Sequence, residues 1–495
     1  MADFGVNEKV IDSIKPDTYN LEEPNFNVAK LDGSAQLICA ANAWSCQRPE
    51  SGLQIKKQIE ARGEEKGLKM VRGILKGAIG SGHAGIGDQG TFVINFEKIP
   101  RLITLQHARY PYGFSLLQQS SRARPLLGIH IPEVIKQNPT LYKKVQAVEK
   151  KVWRNYLTFI KNKMTMQDAM YVLPLYALTN NTVSGNARAW IHYYMSSMES
   201  RNTKLFEKKP YADGPIKKPK IVQDIAQASM NVLKENQKYL FRDYGPNYEL
   251  IDCYPSGTDF LATKNPIMER TLRNPKLRPL NKMETEAVLL SYDNPHIITH
   301  QDVETALKKR DEGLMSAINT ITYKLATFSP ISTHHDSFRN RSVFRVVEPF
   351  IHAAMPRNFK YFTPPVYAQM GLKDLYDELI MDQMNLFWSM YEEGIPVWEA
   401  IGFVPHAMGV HDVITVTGWN VFHLLGLRLC SRARPTMQKW ANDIANAMQT
   451  VDSPLNDFMT PRGVHYGGCR EKNNCGRCAP IIKRLNQHQE LEKWL

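Results

Sequence analysis

Residues 171–194 read YVLPLYALTNNTVSGNARAWIHYY, and a degenerate copy follows at 402–425, GFVPHAMGVHDVITVTGWNVFHLL. An offset of 231 residues aligns the two without gaps and holds from 141–197 to 372–428. Apolar positions agree at helical spacing through both stretches, although any two amphipathic helices can be aligned in this way. The shared Pro174 and Pro405, each followed eighteen residues later by a His, are harder to attribute to chance. The chain therefore contains an internal repeat.

Each copy predicts the same order of elements: a long amphipathic helix, the apolar-Pro step, a short β-rich run and a second helix. The β-rich runs are 177–183 and 410–416, and the second helices begin near Asn186 and Gly418. Further on, 221–233 resembles 436–448 at an offset of only 215, so the first copy carries about sixteen extra residues. The basic segment 204–220, which reads as an exposed loop, accounts for them.

These patterns predict an α/β fold of the α+β kind: two fused copies, each a mainly antiparallel sheet packed with long helices. The predicted divisions are copy one with an N-terminal extension, a linker rich in Pro, Asn and Asp, copy two and a Cys-containing tail. Their bounds are 1–241, 242–282, 283–460 and 461–495.

Composition narrows the class of protein. The chain has 495 residues, of which 43% are hydrophobic, as in globular proteins. No apolar run reaches 18 residues and the N-terminus lacks a signal-peptide pattern, so we expect a cytoplasmic protein without a membrane span. The net charge of +13 favours phosphorylated small molecules or nucleic acid as partners, but a solvated basic surface explains it equally well.

The seven cysteines argue against a disulfide framework in a cytoplasmic chain. Cys469, Cys475 and Cys478 form a C-x5-C-x2-C cluster, and Cys430 is a natural fourth ligand. Four thiolates suit tetrahedral zinc, so we predict a structural zinc that pins the tail. An iron–sulfur cluster, free thiols, or His465 as a substitute ligand are the alternatives.

A second motif lies at 114–122, FSLLQQSSR. Ser120 and Arg122 occupy alternate positions of an extended segment, so a hydroxyl and a guanidinium can donate to one phosphate beside Gln118. A polar surface turn is the other interpretation. The chain has no convincing Gly-rich nucleotide motif, and no Ser-His-Asp or Cys-His arrangement emerges from it.

The segment 114–122 resembles the signature of the flavin-dependent thymidylate synthases, in which Ser, Gln or Asn-Glu, and Ser-x-Arg follow an Arg-His-Arg. NARAWIHYY at 186–194 and TGWNVFHLLGLR at 417–428 resemble the C-terminal element of that family. There an Asn-x-Arg and a later Asn or His contact flavin, and a final Arg holds the nucleotide phosphate. The resemblance covers most of both copies and identifies a divergent tandem-repeat relative.

By this resemblance, the nucleotide-binding residues are Ser115, Gln118, Ser120, Arg122 and Arg428. The flavin-binding residues are His83, Asn186, Arg188, His192, Arg339, Arg341 and His423. No enzyme nucleophile is implied.

The two copies have lost different parts of the signature. Copy one has Arg109-Tyr-Pro-Tyr112 in place of Arg-His-Arg, and Ser197 in place of the phosphate-binding Arg. Copy two keeps Arg339-Asn340-Arg341 but has Thr417 and Trp419 in place of Asn and Arg. Because the losses are complementary, we predict one composite site in which the nucleotide loop of copy one faces the arginines of copy two. Random loss in an inactive homologue is the alternative.

The resemblance implies an FAD-dependent enzyme that methylates C5 of a pyrimidine nucleotide such as dUMP, with methylenetetrahydrofolate and NADPH as co-substrates. A related C5 modification is nearly as compatible with the sequence. It also implies a homodimer of fused chains that imitates the family's tetramer. A degenerate relative that binds nucleic acid, or a structural assembly protein, is the alternative.

Overall fold

The computed structural model describes residues 31, 33–80, 83–110, 112–119, 128–198, 217–242, 259–261, 270–273, 285–338, 340–470 and 474–488. The strands of copy one are β1 Thr91–Pro100, β2 Phe114–Gln118 and β3 Leu178–Asn186. Its helices are α1 Ala35–Ser45, α2 Gly52–Glu60, α3 Glu64–Gly80, α4 Arg101–Ala108, α5 Glu133–Lys136, α6 Pro139–Lys161, α7 Met166–Ala169, α8 Ala187–Ser197, α9 Lys220–Asn236 and α10 Lys238–Arg242. Single 3-10 turns cover Ala84–Gln89 and Met170–Val172.

Copy two repeats this plan. Its strands are β4 Glu286–Asp293, β5 Thr322–Pro330, β6 Phe344–Val347 and β7 Gly409–Thr417. Its helices are α11 His300–Lys309, α12 Glu312–Ile318, α13 Ile331–Ser337, α14 Phe350–Ala354, α15 Pro365–Gln369, α16 Lys373–Glu392, α17 Val397–Ala400, α18 Gly418–Asn420, α19 Gly426–Arg428 and α20 Pro435–Met448. A π-helical turn, Val421–Leu425, joins α18 to α19, and 3-10 turns cover Ile401–Phe403 and Asn456–Phe458. The tail contains α21 Arg462–His465 and α22 Cys478–His488.

Both sheets are antiparallel, with strand orders β1-β3-β2 in copy one and β4-β5-β7-β6 in copy two. The order β5-β7-β6 repeats β1-β3-β2, and β4 is an additional strand beside β5. Even the register repeats: Thr91 pairs with Asn186, and Thr322 pairs with Thr417. The prediction of two fused units, each an antiparallel sheet packed with helices, is confirmed. The strands β3 and β7 extend three and one residues past the predicted β-rich runs, because pairing with β1 and β5 continues to the residue that begins each following helix.

The long helices form where the sequence predicts them. In α6, Asn138 accepts a hydrogen bond from the Leu141 backbone, and Pro139 takes the first helical position, where its missing N–H costs nothing. Buried residues along α6 include Val145, Val152 and Tyr156, which recur at helical spacing. This apolar face packs against α16 of copy two, so the repeat helix also joins the copies.

A local two-fold axis relates the copies. The backbone N of Leu175 donates to Val404 O at 3.1 Å, and the equivalent N of His406 donates to Leu173 O at 2.9 Å. Pro174 bridges Pro405 in antiparallel fashion between these bonds. The two Pro steps that reveal the repeat in the sequence therefore meet each other in the fold.

Equivalent side chains meet along the same axis. Lys151 of α6 lies 2.6 Å from Asp382 of α16, its counterpart at the 231-residue offset. Thr104 Oγ1 lies 3.2 Å from His335 Nε2, again a pair of counterparts. A buried cluster between the copies, including Phe159, fills the space around the axis. Burial of such apolar surface is the main force that holds the two copies together.

Two predictions on connecting segments meet different outcomes. The linker 242–282 lies largely outside the described residues. Most of the basic loop also lies outside them, but its end departs from the prediction of a solvated segment: Lys218 is 1% exposed and is paired with Asp259. A long loop that returns to the core must bury some of its residues, and a buried lysine requires such a partner. In the described part of the chain, no helix has the length and apolar character to cross a bilayer.

Candidate functional site

Two residues predicted to contact flavin, Asn186 and Arg188, lie at the N-terminal end of α8, which we call the α8 end. Asn186 Oδ1 accepts a hydrogen bond from the Ala189 backbone N at 2.9 Å and so caps the helix. Arg188 Nη1 lies 3.4 Å from Asp88 Oδ2, on the 3-10 turn that exposed His83 begins. Both the helix terminus and the guanidinium attract anions. The α8 end therefore combines a helix terminus and a guanidinium with the carboxylate of Asp88.

His192 lies one turn beyond Arg188 but has a different environment. It is 4% exposed, and its ring is perpendicular to that of Tyr110 at 4.9 Å between centroids. The Tyr110 hydroxyl is hydrogen-bonded to Ser196 on the same helix. His192 is thus part of an aromatic core behind the α8 end, where it supports the helix.

Arg109, which remains from the altered Arg-His-Arg of copy one, is engaged within the protein. Its Nη1 lies 3.1 Å from Asp259 Oδ2, and its side chain is 6% exposed. Burial lowers the pKa of this guanidinium from its ordinary value. With a carboxylate already in place, Arg109 is a structural residue and not an open phosphate ligand.

Copy two supplies a guanidinium where copy one has lost its own. Arg341 Nη1 donates to the Phe114 carbonyl of β2 at 2.7 Å, beside Ser115. Tyr112 and Phe344 pack across the same junction, with ring centroids 5.6 Å apart. The strand that begins the nucleotide motif of copy one therefore lies against the Arg-x-Arg element of copy two.

Ser115 and Gln118 lie three positions apart on β2, so their side chains project from opposite faces of the strand. Ser115 is exposed, and Gln118 is half-buried at the end of the strand. Gln118 Nε2 is enclosed, with no hydrogen-bond partner among the described residues. A donor in that condition suits an acceptor from a ligand or from the segment that follows. The predicted site residues Ser120, Arg122 and Arg339 lie outside the described residues.

The corresponding helix end in copy two is already occupied. Asn319, at the end of α12, accepts hydrogen bonds through Oδ1 from Thr417 Oγ1 at 2.7 Å and from the Trp419 backbone N at 3.3 Å. Gly418 packs so closely on Ile318 that a Cβ would lie 2.1 Å from its carbonyl oxygen. The helix end of copy two is thus capped by an amide from another element, whereas the α8 end is capped by its own N-terminal residue, Asn186.

His423 lies within the π-helical turn after Trp419. The two rings stack at 5.9 Å with an interplanar angle of 14°, and Trp419 is 47% exposed. Burial lowers the pKa of His423, and the nearby guanidiniums of Arg462 and Arg428 lower it further. His423 therefore remains near arginines of copy two and its tail, apart from the His83 and Arg188 group.

Arg428 ends α19 and donates through Nη2 to the Asp336 carbonyl at 3.2 Å. The Asp336 carboxylate is bound by Arg434, which also donates to Ser332 O at 2.9 Å. Although burial alone would raise the pKa of Asp336, Arg434, Arg428 and Arg101 together hold it below its ordinary value. Arg428 therefore contacts the charged residues around the axis between the copies. It also lines a cavity whose other wall is the tail.

Two buried polar groups near the axis were missed by the sequence analysis. Arg101 Nε donates to His406 Nε2 at 2.9 Å, and its Nη2 lies 2.7 Å from His335 Nδ1. Burial and the charge of Arg101 lower the pKa of His406 well below its ordinary value, so this imidazole is neutral and accepts the bond. Arg434, whose charge lies near Arg101, belongs to the string SRARP at 431–435. The same string occurs at 121–125, but the separation of 310 residues does not fit the repeat, so it gave only a weak signal.

The second group is centred on Asp412 of β7, which is 1% exposed. His334 Nδ1 lies 3.3 Å and Arg345 Nη1 lies 3.6 Å from Asp412 Oδ2, and Thr327 donates to the other oxygen. Although burial opposes ionisation, His334, Arg345 and Thr327 hold the pKa of Asp412 below its ordinary value. These contacts fix β5, β6 and α13 relative to one another.

The predicted zinc site is not supported. Cys430, Cys469, Cys475 and Cys478 all line one cavity between α19 and the tail. Nevertheless, no group of three or more His, Cys, Asp or Glu side chains in the described part of the chain is placed to hold a metal ion. Cys475 is exposed and accepts a hydrogen bond from Ser431 Oγ at 3.0 Å, whereas Cys478 is buried beneath Gly463. The thiols share a cavity but do not converge on one point.

The sequence matches the thymidylate synthase complementing protein family over residues 28–205 and 285–452, one match for each copy. The chain belongs to this family.

Two curated members resemble one stretch of the chain. The flavin-dependent thymidylate synthase of Sulfolobus acidocaldarius is 24% identical over 178 residues, which are 35% of this chain and 68% of that protein. The flavin-dependent thymidylate synthase of Geobacter sulfurreducens is 24% identical over 177 residues, 35% of this chain and 69% of that protein. Among solved structures, the UMP/dUMP methylase PolB from Streptomyces cacaoi, bound with 5-Br dUMP, aligns with 44% of this chain and 94% of its own at 12% identity and a TM-score of 0.33.

The extent of the family match separates two kinds of residue. The α8 end, β2, Arg341 and Arg428 all lie in matched segments of the thymidylate synthase complementing family. The tail does not: residues after 452, including Cys469, Cys475 and Cys478, fall beyond both matches. The tail therefore lies outside the part of the chain that the family model matches.

Proposed function

We propose that the protein catalyses flavin-dependent methylation at C5 of a pyrimidine nucleotide such as dUMP, at a composite site between the two copies. Membership of the thymidylate synthase complementing family supports the reaction class. The observation that carries the composite site is the 2.7 Å hydrogen bond from Arg341 of copy two to Phe114 at the start of β2. It places a guanidinium of one copy beside the exposed Ser115 of the other.

The residues present suit a flavin nucleotide at the α8 end. The helix terminus, the partly exposed Arg188 and the exposed His83 are donors appropriate to the phosphates of FAD. The equivalent end in copy two is filled by Asn319, so one FAD for each chain is the expected ratio. Bound flavin would supply hydride, with methylenetetrahydrofolate as the one-carbon donor and NADPH as the reductant.

The chain's own groups would bind and orient the nucleotide. Ser115 is a hydroxyl donor on the open side of β2, and Gln118 Nε2 is a donor that lacks an acceptor among the described residues. Arg341 adds positive charge from copy two. Donors fixed on a strand lose little entropy on binding, so they orient a nucleotide effectively.

We also propose that two fused chains associate. Copy one contributes no described residue to the lining of the cavity around Arg428. A second chain whose nucleotide loop covers that cavity would reproduce the subunit exchange that the family resemblance implies. Light scattering of the purified protein should then give twice the mass of one chain.

The direct test is the flavin content of the purified protein, measured as absorbance near about 450 nm, followed by titration with dUMP. Arg341→Ala should weaken dUMP binding by about tenfold, because it removes a charged donor. Arg357→Ala is the matched control, since Arg357 is exposed on a turn of the same copy. Absence of flavin together with tight, steeply salt-dependent binding to polynucleotides would instead favour the nucleic-acid-binding alternative.

A further inference from the structure

A cavity of about 1100 Å³ lies where the tail packs against α19. Gly426 marks the contact, because a Cβ there would lie 3.5 Å from Arg462 Cβ. Within the tail, a Cβ at Gly463 would lie 2.8 Å from Cys478 Sγ. Two close approaches at glycine thus fit the tail to copy two and define the walls of this tail cavity.

The lining of the tail cavity carries one sign of charge. Five of its residues are arginines: Arg428, Arg432, Arg462, Arg470 and Arg477. No Asp or Glu is present among the described residues that line it. Five guanidiniums around one space give it a positive potential that attracts anions. The lining of the tail cavity therefore favours an anionic ligand.

Two of these guanidiniums are held in place by an aromatic ring. Arg470 lies 4.1 Å and Arg462 lies 5.0 Å from the centroid of Tyr466. Arg462 Nε also donates to the Tyr466 hydroxyl at 2.5 Å. A donor already oriented loses less entropy when it binds an anion than a free surface arginine does.

Size and charge together identify the class of ligand. A phosphate monoester carries a charge of about −2, which is too little to balance five guanidiniums. The volume is close to that of small-molecule sites, about 300–1,000 Å³, and does not call for a polynucleotide. His423 lies near Arg428 and Arg462 of the cavity lining, and Trp419, stacked on His423, offers an exposed aromatic face for a base.

We propose that the tail cavity binds a nucleotide with a di- or triphosphate chain, its first phosphate at Arg428 and the others at the tail arginines. This inference rests on the proposed function, in which the nucleotide loop of a second chain covers the cavity around Arg428. It extends that function, because it changes the preferred substrate from a nucleoside monophosphate to a di- or triphosphate. The tail, which lies outside the family match, is the part of the chain that makes the difference.

The test compares dUMP, dUDP and dUTP by calorimetric titration of the full-length protein. dUTP should bind at least about tenfold more tightly than dUMP, because each added phosphate gains charge-assisted hydrogen bonds. The double variant Arg470→Ala/Arg477→Ala should lower dUTP affinity far more than dUMP affinity, and Arg470→Lys/Arg477→Lys should restore part of the loss. Arg357→Ala should change neither.

The two proposals fail in different ways. Equal affinity for dUMP and dUTP in a flavin-containing protein would overturn the polyphosphate inference and leave the proposed function intact. Tight dUTP binding without flavin would overturn the proposed function alone. Binding of inorganic triphosphate as tightly as dUTP would show that the cavity holds a polyphosphate and no nucleotide, which would also overturn the inference. The wild-type titrations decide these outcomes even if a variant fails to fold.

Discussion

The same twelve positions have different structures in the two copies. In copy one, residues 186–197 form a side-chain cap followed by the regular helix α8. In copy two, the equivalent residues 417–428 form two short α-helical pieces with a π-helical turn between them. Arg188 is replaced by Trp419, and Ser197 by Arg428. Extra π-helical residues often occur at functional sites, because they reorient side chains locally.

The difference shows that fused copies can acquire different structures at equivalent positions. While two identical subunits form a site, every residue must serve in both copies. Once the copies are joined, one helix can keep Asn186 and Arg188 at its start, and the other can be capped by Asn319 and direct an arginine toward the tail. Substitutions at equivalent positions should therefore have unequal effects, which the following experiments measure.

The largest contrast lies within the paired helices α6 and α16, at Glu149 and its counterpart Ile380. Glu149 is 4% exposed, and neither carboxyl oxygen has a hydrogen-bond partner among the described residues. Burial raises its pKa to about 8. Because the folded-state pKa is raised, wild-type stability should fall as pH rises from about 4.5 to about 8.

Glu149→Leu should abolish that slope and raise the free energy of unfolding above pH 8 by an amount on the order of 5 kcal/mol. Urea denaturation over a pH series measures it. Exposed Glu65→Leu is the control and should leave the slope unchanged. An unchanged slope in Glu149→Leu would show that Glu149 is not the buried acid responsible.

Asp412→Asn should have an effect of similar size but opposite sign, a loss of stability. The substitution gives copy two the residue that copy one has at the equivalent position, Asn181. Asn181 Nδ2 makes a single bond of 3.0 Å to His107. Asp412 instead neutralises buried Arg345, so its removal should cost about 3–5 kcal/mol. Because the Asp412 pKa is lowered, the wild-type should lose this contribution as pH falls below about 3.8, whereas the variant should not.

Thermal unfolding at neutral and acid pH provides the measurement, and Asn181→Ala is the comparison, with an expected loss of about 1 kcal/mol. Similar losses at the two positions would mean that the ion group of copy two adds nothing beyond the hydrogen bond of copy one.

A smaller effect is expected at the start of the second helices, where Gly418 corresponds to Ala187. Gly418→Ala should destabilise by about 1–3 kcal/mol, because the new methyl group meets the backbone of Ile318. The reciprocal change Ala187→Gly should cost about 1 kcal/mol or less. Equal losses in chemical denaturation would contradict the closed helix end in copy two.

The smallest effect in free energy bears most directly on function. Arg188→Ala should weaken FAD binding by about tenfold, since it removes a phosphate donor at the α8 end. Trp419→Ala, at the equivalent position, should leave FAD binding unchanged. The flavin that each variant retains after dialysis is measured from its absorbance. Loss of flavin from Trp419→Ala alone would assign the FAD site to copy two instead of copy one.

Periodicity predicted most of the fold. The 231-residue offset correctly identified α16 as the counterpart of α6, and β7 as the counterpart of β3. It did so because the apolar spacing and the Pro steps are kept in both copies. The offset of 215 correctly placed α9 and α20, which begin at Lys220 and Pro435. Sequence spacing cannot predict which residues cross the axis, so the contacts of Arg101 with His335 and His406 were missed.

The candidate site was predicted less completely. Asn186 and Arg188 lie at the α8 end, and Arg188 contacts Asp88 of the 3-10 helix that His83 precedes. His192 is buried against Tyr110, a fact that depends on how a helix packs and not on its motif. The thiols share a cavity as the spacing indicated, but their side chains do not converge on a metal position, which only three-dimensional placement can reveal.

The pairing of counterparts along the local two-fold axis has a consequence for assembly. In a homodimer, a residue on the symmetry axis meets its own copy, so a lysine there faces a lysine. In this chain the partners are unlike: Lys151 faces Asp382, and Thr104 faces His335. A separated half would place like charges together, so each half discriminates against itself and favours the other. The unlike pairs therefore favour association of copy one with copy two over association of either copy with itself.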